Sequence, residues 1–184
     1  MLSDYHIKNS LINGMNKEEF KNKVFDQEIR SKLVDILFNI LQEDTIDIKT
    51  NYVKLKDFEV RLNKRQLELK EKILKVLNES NLMPPKIETV LSDFGREKET
   101  ARRILDLMIE DEIIINIENE YCFLKEKLES AKEWLKEYII NNGEILTSEF
   151  RDGLQISRKY AVMILEYFDS IKFTKRIEDK RVLY

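Results

Sequence analysis

Glycine is scarce in this chain of 184 residues. Gly14, Gly95, Gly143 and Gly153 are the only four, and no two lie within five positions of each other. Phosphate-cradling loops and dinucleotide fingerprints need closely spaced glycines, because only a residue without Cβ lets backbone come close to a phosphate. Neither pattern is present, so no nucleotide is held by those routes. The single cysteine, Cys122, excludes an intrachain disulfide and fits a reducing compartment. The single histidine, His6, stands near the N-terminus and far along the chain from Cys122. It supports neither a catalytic Ser–His–Asp or Cys–His arrangement nor a His/Cys metal cluster. Carboxylates are plentiful, but none is singled out by its surroundings. No apolar run approaches the roughly 20 residues of a membrane span. The opening MLSDYHIKNS lacks the long apolar core of a signal peptide. The expectations are therefore no catalytic residue, no cofactor, no metal, no membrane partner and a cytoplasmic location.

Charged residues make up 36% of the chain and the hydrophobic set 42%. That is enough apolar mass for a core and too much for a disordered tail. The organisation is a repeat. At an offset of 60, Ala101, Ile104, Leu105 and Met108 fall on Ala161, Ile164, Leu165 and Phe168, the i, i+3, i+4, i+7 face of a helix. Val90 and Phe94 fall on Phe150 and Leu154, Ile113 and Ile117 on Phe173 and Ile177, and Asn119 on Asp179. The first part of the chain repeats the order more loosely. Leu33, Ile36, Leu37 and Ile40 form its helical face, followed by the strand-like TIDIKTNYVKL.

Each unit predicts three helices and a closing hairpin. The first helix carries Leu69, Ile73, Val76 and Leu77 in unit two, and Leu128, Ala131, Leu135 and Ile139 in unit three. Short second helices are expected over 87–94 and 147–154. The hairpins turn around Thr50-Asn51, Glu118-Asn119 and Glu178-Asp179. In unit one, Gly14 is placed to end the first helix, and Asn16-Lys17-Glu18-Glu19 to cap the second. Three helices and a hairpin in about 60 residues is the winged-helix arrangement. The fold class is thus mostly α with small β-hairpins, as three tandem winged-helix domains over 1–62, 63–125 and 126–184. Pro84-Pro85 stiffens the turn before the second helix of unit two.

The repeat acts as its own control for charge. Glu97-Lys98-Glu99 in unit two becomes Ser157-Arg158-Lys159 in unit three, Ile115-Asn116 becomes Lys175-Arg176, and Glu120-Tyr121 becomes Lys180-Arg181. Residues 150–184 carry eight basic and five acidic side chains, a net charge of +3, while the chain as a whole has −3. The basic bias thus sits on the third helix and the wing, the parts of a winged helix that meet nucleic acid. Ser157 reads as an N-cap, which puts Arg158 and Lys159 in the first helical turn. Each cation there opposes the helix dipole at a cost of about 0.3–1 kcal/mol. An external phosphate would complete such a site. Trp134, Tyr138, Phe123, Phe168 and Phe173 read as core. Tyr160, on the flank of the core face, either packs inward or stacks on a nucleotide.

The stretch Leu146–Leu183 resembles the last winged-helix domain of SelB, the family of bacterial selenocysteine-specific elongation factors. The resemblance rests on Phe150-Arg151-Asp152, Ser157-Arg158-Lys159-Tyr160-Ala161, Leu165-Glu166-Tyr167-Phe168-Asp169, Thr174-Lys175-Arg176 and Lys180-Arg181-Val182-Leu183. His6 to Lys23 and NLMPPKIE resemble earlier domains of the same family. The resemblance implies the last three of four winged-helix domains that follow a GTP-binding body. It also implies a grip on the selenocysteine-insertion hairpin of mRNA, with the GTPase body and the ribosome as further partners. Arg151, Arg158, Lys159 and Arg176 are the residues it carries over. Ser157, Tyr160, Lys175, Lys180 and Arg181 join them as candidates, with their contacts open. Two other readings of the residues stand beside this one: a DNA-binding regulator using tandem winged helices, and a winged-helix protein-interaction scaffold.

Overall fold

The computed structural model describes residues 1–25, 36, 40, 41, 45–49 and 51–184. The chain divides into two compact units, Met1–Leu67 and Glu68–Tyr184.

In the first unit, α1 (Leu2–Lys8) is followed by β1 (Met15–Asn16), α2 (Lys17–Val24), β2 (Ile46–Ile48) and β3 (Tyr52–Leu55). The strands form an antiparallel sheet in the order β1-β3-β2, with Met15 opposite Val53 and Ile46 opposite Leu55. Leu2, Met15, Phe20, Ile46 and Val53 make its core. Asn16 caps α2, its Oδ1 accepting from the Glu18 and Glu19 amides at 2.9 and 3.2 Å. Gly14 does not end α1, which stops at Lys8. It lies against β3 instead, where a Cβ would meet the Val53 carbonyl. Leu33 and Leu37 of the expected apolar face lie outside the described residues. Ile36 and Ile40 are helical as expected but exposed. His6 is buried: its Nε2 accepts from the Leu55 amide at 3.3 Å and its ring stacks on Phe58 at 3.6 Å.

The second unit starts within α3 (Lys64–Ser80) and continues with α4 (Ile87–Ser92), a 3-10 turn (Gly95–Glu97), α5 (Lys98–Glu110), β4 (Ile114–Ile117) and β5 (Tyr121–Leu124). There follow α6 (Lys125–Asn142), β6 (Ile145–Leu146), α7 (Thr147–Gly153), α8 (Arg158–Ser170), β7 (Thr174–Ile177) and β8 (Lys180–Leu183). The winged helix thus appears twice here. The expected helical faces turn inward in both copies: Leu69, Ile73 and Leu77 on α3 are buried and Val76 is half-buried, while Leu128, Ala131, Leu135 and Ile139 are buried on α6. Ala101, Ile104, Leu105 and Met108 are as buried as Ala161, Ile164, Leu165 and Phe168. Backbone repeats with the side chains. Gly95 and Gln155, Glu112 and Lys172, and Glu118 and Glu178 share a left-handed conformation at the same offset.

Two features correct the repeat as read from sequence. A short extra strand precedes the second helix: β6 pairs with β8, and β1 with β3, while the corresponding place before α4 holds a single bridge between Lys86 and Tyr121. The offset of 60 also breaks in the wing. Ile117 pairs with Tyr121 across a three-residue turn, whereas Ile177 pairs with Lys180 across two. Beyond the turn the equivalent residues are therefore Tyr121 and Lys180, Cys122 and Arg181, and Phe123 and Val182. Leu146 opposite Lys180 then mirrors Lys86 opposite Tyr121.

The β4–β5 hairpin buries both faces. Ile114, Cys122 and Leu124 face its own helices, while Ile117, Tyr121 and Phe123 belong to the core cluster of the last winged helix. That is why Ile117 is buried while its repeat partner Ile177 is 50% exposed. Gly153 at the end of α7 is required by packing, because a Cβ there would run into the Trp134 indole.

Candidate nucleic-acid interface

Three of the sequence-predicted cations converge. Arg151 on α7, Arg158 at the start of α8 and Arg176 on β7 line one concavity of about 340 Å³, together with Leu146, Thr147, Ser148 and Asp179. They come from three elements because the wing folds back beside the N-termini of the two last helices. Arg151 forms a forked pair with Asp152, Nε to Oδ1 at 2.7 Å and Nη2 to Oδ2 at 2.9 Å. This hydrogen bond holds the Asp152 carboxyl below its usual range and raises Arg151. The pair is exposed and contributes little stability. Arg176 donates from Nε to the Glu178 carbonyl at 2.9 Å, which steadies it across the wing turn. The Arg158 side chain makes no hydrogen bond or ion pair with another described residue. Ser157 stands at the N-cap with extended backbone, but its side chain makes no capping bond. The first amides of α8 are thus left without that partner.

The remaining candidates are arranged differently. Lys159 leaves the concavity: its ammonium bonds the Tyr121 hydroxyl and lies 4.4 Å from the centre of that ring. The hydroxyl, the largest influence, pushes the Lys159 pKa up. Tyr160 donates its hydroxyl proton to the Pro84 carbonyl at 2.6 Å and meets the Tyr121 ring edge-on. Burial raises its pKa. The side chain thus packs against the second winged helix. Lys180 pairs with Glu144, which raises the lysine pKa through their hydrogen bond. Lys175 is exposed on β7.

Arg181 is inside the domain, 2% exposed. Its Nε donates to Asp169 Oδ2 at 3.0 Å and its Nη1 to Thr147 Oγ1 at 3.1 Å. Thr174 Oγ1 donates to the other Asp169 oxygen at 2.6 Å. Sequence reading missed Thr147, Ser148 and Asp179 as lining residues, since polar residues at a helix start or a turn carry no signal of their own. Among the described residues no helix is long and apolar enough to cross a membrane, and no cluster of His, Cys, Asp and Glu could hold a metal.

Comparison with known proteins places this geometry. Family models described as winged helix of elongation factor SelB match residues 1–55 and 137–183, together more than half of the chain. The selenocysteine-specific elongation factor of Desulfomicrobium baculatum is 25% identical over 181 residues, and that of Escherichia coli K12 is 21% identical over 175. These alignments cover 98% and 95% of this chain, which spans 28% of each relative's length. Among solved structures, the mRNA-binding domain of E. coli SelB in complex with SECIS RNA matches 66% of this chain and 98% of its own, with a TM-score of 0.55 and 22% identity. A bacterial selenocysteine-specific elongation factor EF-Sec matches 98% of this chain over 28% of its own, with a TM-score of 0.56 and 21% identity. At these identities the structural likeness is one of fold.

Proposed function

This chain belongs to the SelB family, as its C-terminal winged-helix part, and from that premise we propose that it is the RNA-gripping arm of a selenocysteine-specific elongation factor. The arm is non-enzymatic. It binds the selenocysteine-insertion hairpin in mRNA and so tethers the factor's GTPase body near the ribosome, in the cytoplasm. The domains of this arm are residues 1–62, 63–125 and 126–184, and the last one makes the contact.

The observation that carries the reading is the convergence of Arg151, Arg158 and Arg176 on one concavity. Three guanidinium groups within one small site suit the phosphates of a sharply bent strand, since each guanidinium presents a planar fork to phosphate oxygens. Lys175 adds charge on the exposed wing. A hairpin offers such a bent backbone together with splayed loop bases, whereas the deep major groove of an A-form stem is closed to side chains. On binding, a phosphate takes the place of Asp152 on Arg151. Titrating the full chain with a labelled selenocysteine-insertion hairpin and with a matched DNA duplex tests the reading. Salt-sensitive, saturable preference for the hairpin is expected. Preference for the duplex favours a DNA-binding regulator, and no salt-sensitive binding to either favours a protein-interaction scaffold.

A further inference from the structure

We infer that the second winged helix is a working part of the RNA grip: Lys159 and Tyr160 are positioning residues that dock the first turn of α8 on the β4–β5 hairpin and so fix where Arg158 stands. The inference rests on the reading of Arg158 as an RNA contact.

Arg158, Lys159 and Tyr160 are consecutive helical residues, about 100° apart around the axis, so they point three ways. Arg158 points to the concavity shared with Arg151 and Arg176. The next two point to the neighbouring winged helix. Tyr160 reaches the Pro84 carbonyl with its hydroxyl and packs edge-on against Tyr121 and Phe123. Lys159 places its ammonium on the hydroxyl and ring of Tyr121. Tyr121, Phe123 and Ile117 are themselves almost wholly buried. Together they make the outer face of the hairpin into a seat for α8.

The repeat shows that this seat is specific to one junction. Lys159 and Tyr160 replace Glu99 and Thr100 of the preceding unit, whereas Arg158 keeps the charge of Lys98, so the two adjacent cations have separate roles. Arg158 serves the concavity, whereas Lys159 serves the seat. The corresponding outer face of the last hairpin, Lys175, Ile177, Lys180 and Val182, carries two lysines and a half-exposed isoleucine. Among the described residues nothing is seated on it. Docking α8 in advance removes the freedom that RNA binding would otherwise have to take from it, which raises affinity without adding a contact.

The test separates position from charge. Hairpin affinity is measured for the full chain across a series of salt concentrations, with thermal midpoints, for Tyr121→Phe, Lys159→Met, their combination, Lys159→Arg and Arg158→Ala. Tyr121→Phe and Lys159→Met should each weaken binding about two- to fivefold, with the salt slope of the intact chain. The combination should be no worse than Lys159→Met alone, because that variant already removes both the hydroxyl and the ring contact, and Lys159→Arg should restore affinity. Arg158→Ala should weaken binding and flatten the log–log salt slope by about 0.7–0.9. If Lys159→Met flattens the slope as Arg158→Ala does, Lys159 is a phosphate contact and the inference is overturned. Unchanged affinity in Tyr121→Phe overturns it as well. If Arg158→Ala itself binds normally, the underlying reading of the RNA site is what fails.

Discussion

In the second winged helix, Ile87, Ile109, Ile114 and Cys122 close one apolar cluster. In the third, the same four positions hold Thr147, Asp169, Thr174 and Arg181, joined by hydrogen bonds. The backbones match at these positions, and both versions keep them buried or half-buried. The apolar version leaves Cys122 as an inert thiol, its pKa pushed up to about 12 by burial. The polar version ties three elements together: the start of α7, the end of α8 and both wing strands. Two of these elements, α7 and the wing, carry Arg151 and Arg176. A buried ion pair adds little net stability over a well-packed apolar set. What it adds here is a fixed relation between the elements that border the concavity. The comparison thus separates what the fold needs, which either set supplies, from what a site needs.

Breaking the site itself has the largest effect. The combination of Arg151→Ala, Arg158→Ala and Arg176→Ala should lower hairpin affinity by at least about a hundredfold, because each charge-assisted contact is worth about 1.5–3 kcal/mol. The thermal midpoint should hardly move, since all three side chains face solvent or exposed partners. Tight hairpin binding by the triple variant would move the site elsewhere.

Breaking the network comes next. Arg181→Met leaves the Asp169 carboxylate without its cation and should destabilise the domain by about 3 kcal/mol, read as a lower urea midpoint. Grafting the second unit's set, Thr147→Ile, Asp169→Ile, Thr174→Ile and Arg181→Cys, should recover most of that loss. If the single variant unfolds at the same urea concentration as the intact chain, the network carries no structural role.

Gly153 offers a smaller contrast. Gly153→Ala drives a methyl group into the Trp134 indole and should cost about 1–3 kcal/mol. At the equivalent exposed Asp93, Asp93→Ala should stay within about 0.5 kcal/mol. Equal urea midpoints for the two variants would show that Trp134 yields freely.

Much of this architecture is legible in the residues. Apolar side chains at helical spacing mark α3, α5, α6 and α8, and polar turns between branched and aromatic residues mark the wings. Two-residue strands such as β1 and β6 leave no period to read, so the third strand of the first and last sheets is invisible. The lost residue in the last wing is hidden too, because Tyr121 and Arg181 look equivalent until the pairing of Ile177 with Lys180 shows the register. Of the site, Arg151 stands out by the family resemblance, Arg158 by the loss of the two acids that flank Lys98, and Arg176 by charge against the repeat. The same signal also selects Lys159, Lys180 and Arg181. Charge alone cannot tell a cation facing a ligand from one seated on Tyr121, paired with Glu144 or buried on Asp169. That distinction depends on tertiary partners tens of residues away.

On the proposed reading, the third winged helix contacts RNA where the second, built on the same helices and wing, does not. Arg158 and Lys98 occupy the same position in the two repeats, and Lys98 is paired with Glu88 at 2.9 Å. The most direct measurement is the salt dependence of hairpin RNA affinity for the full chain, Arg158→Ala and Lys98→Ala. Weaker binding and a slope flattened by about 0.7–0.9 are expected for Arg158→Ala, with Lys98→Ala matching the intact chain. Equal losses of affinity and slope for the two variants would contradict it.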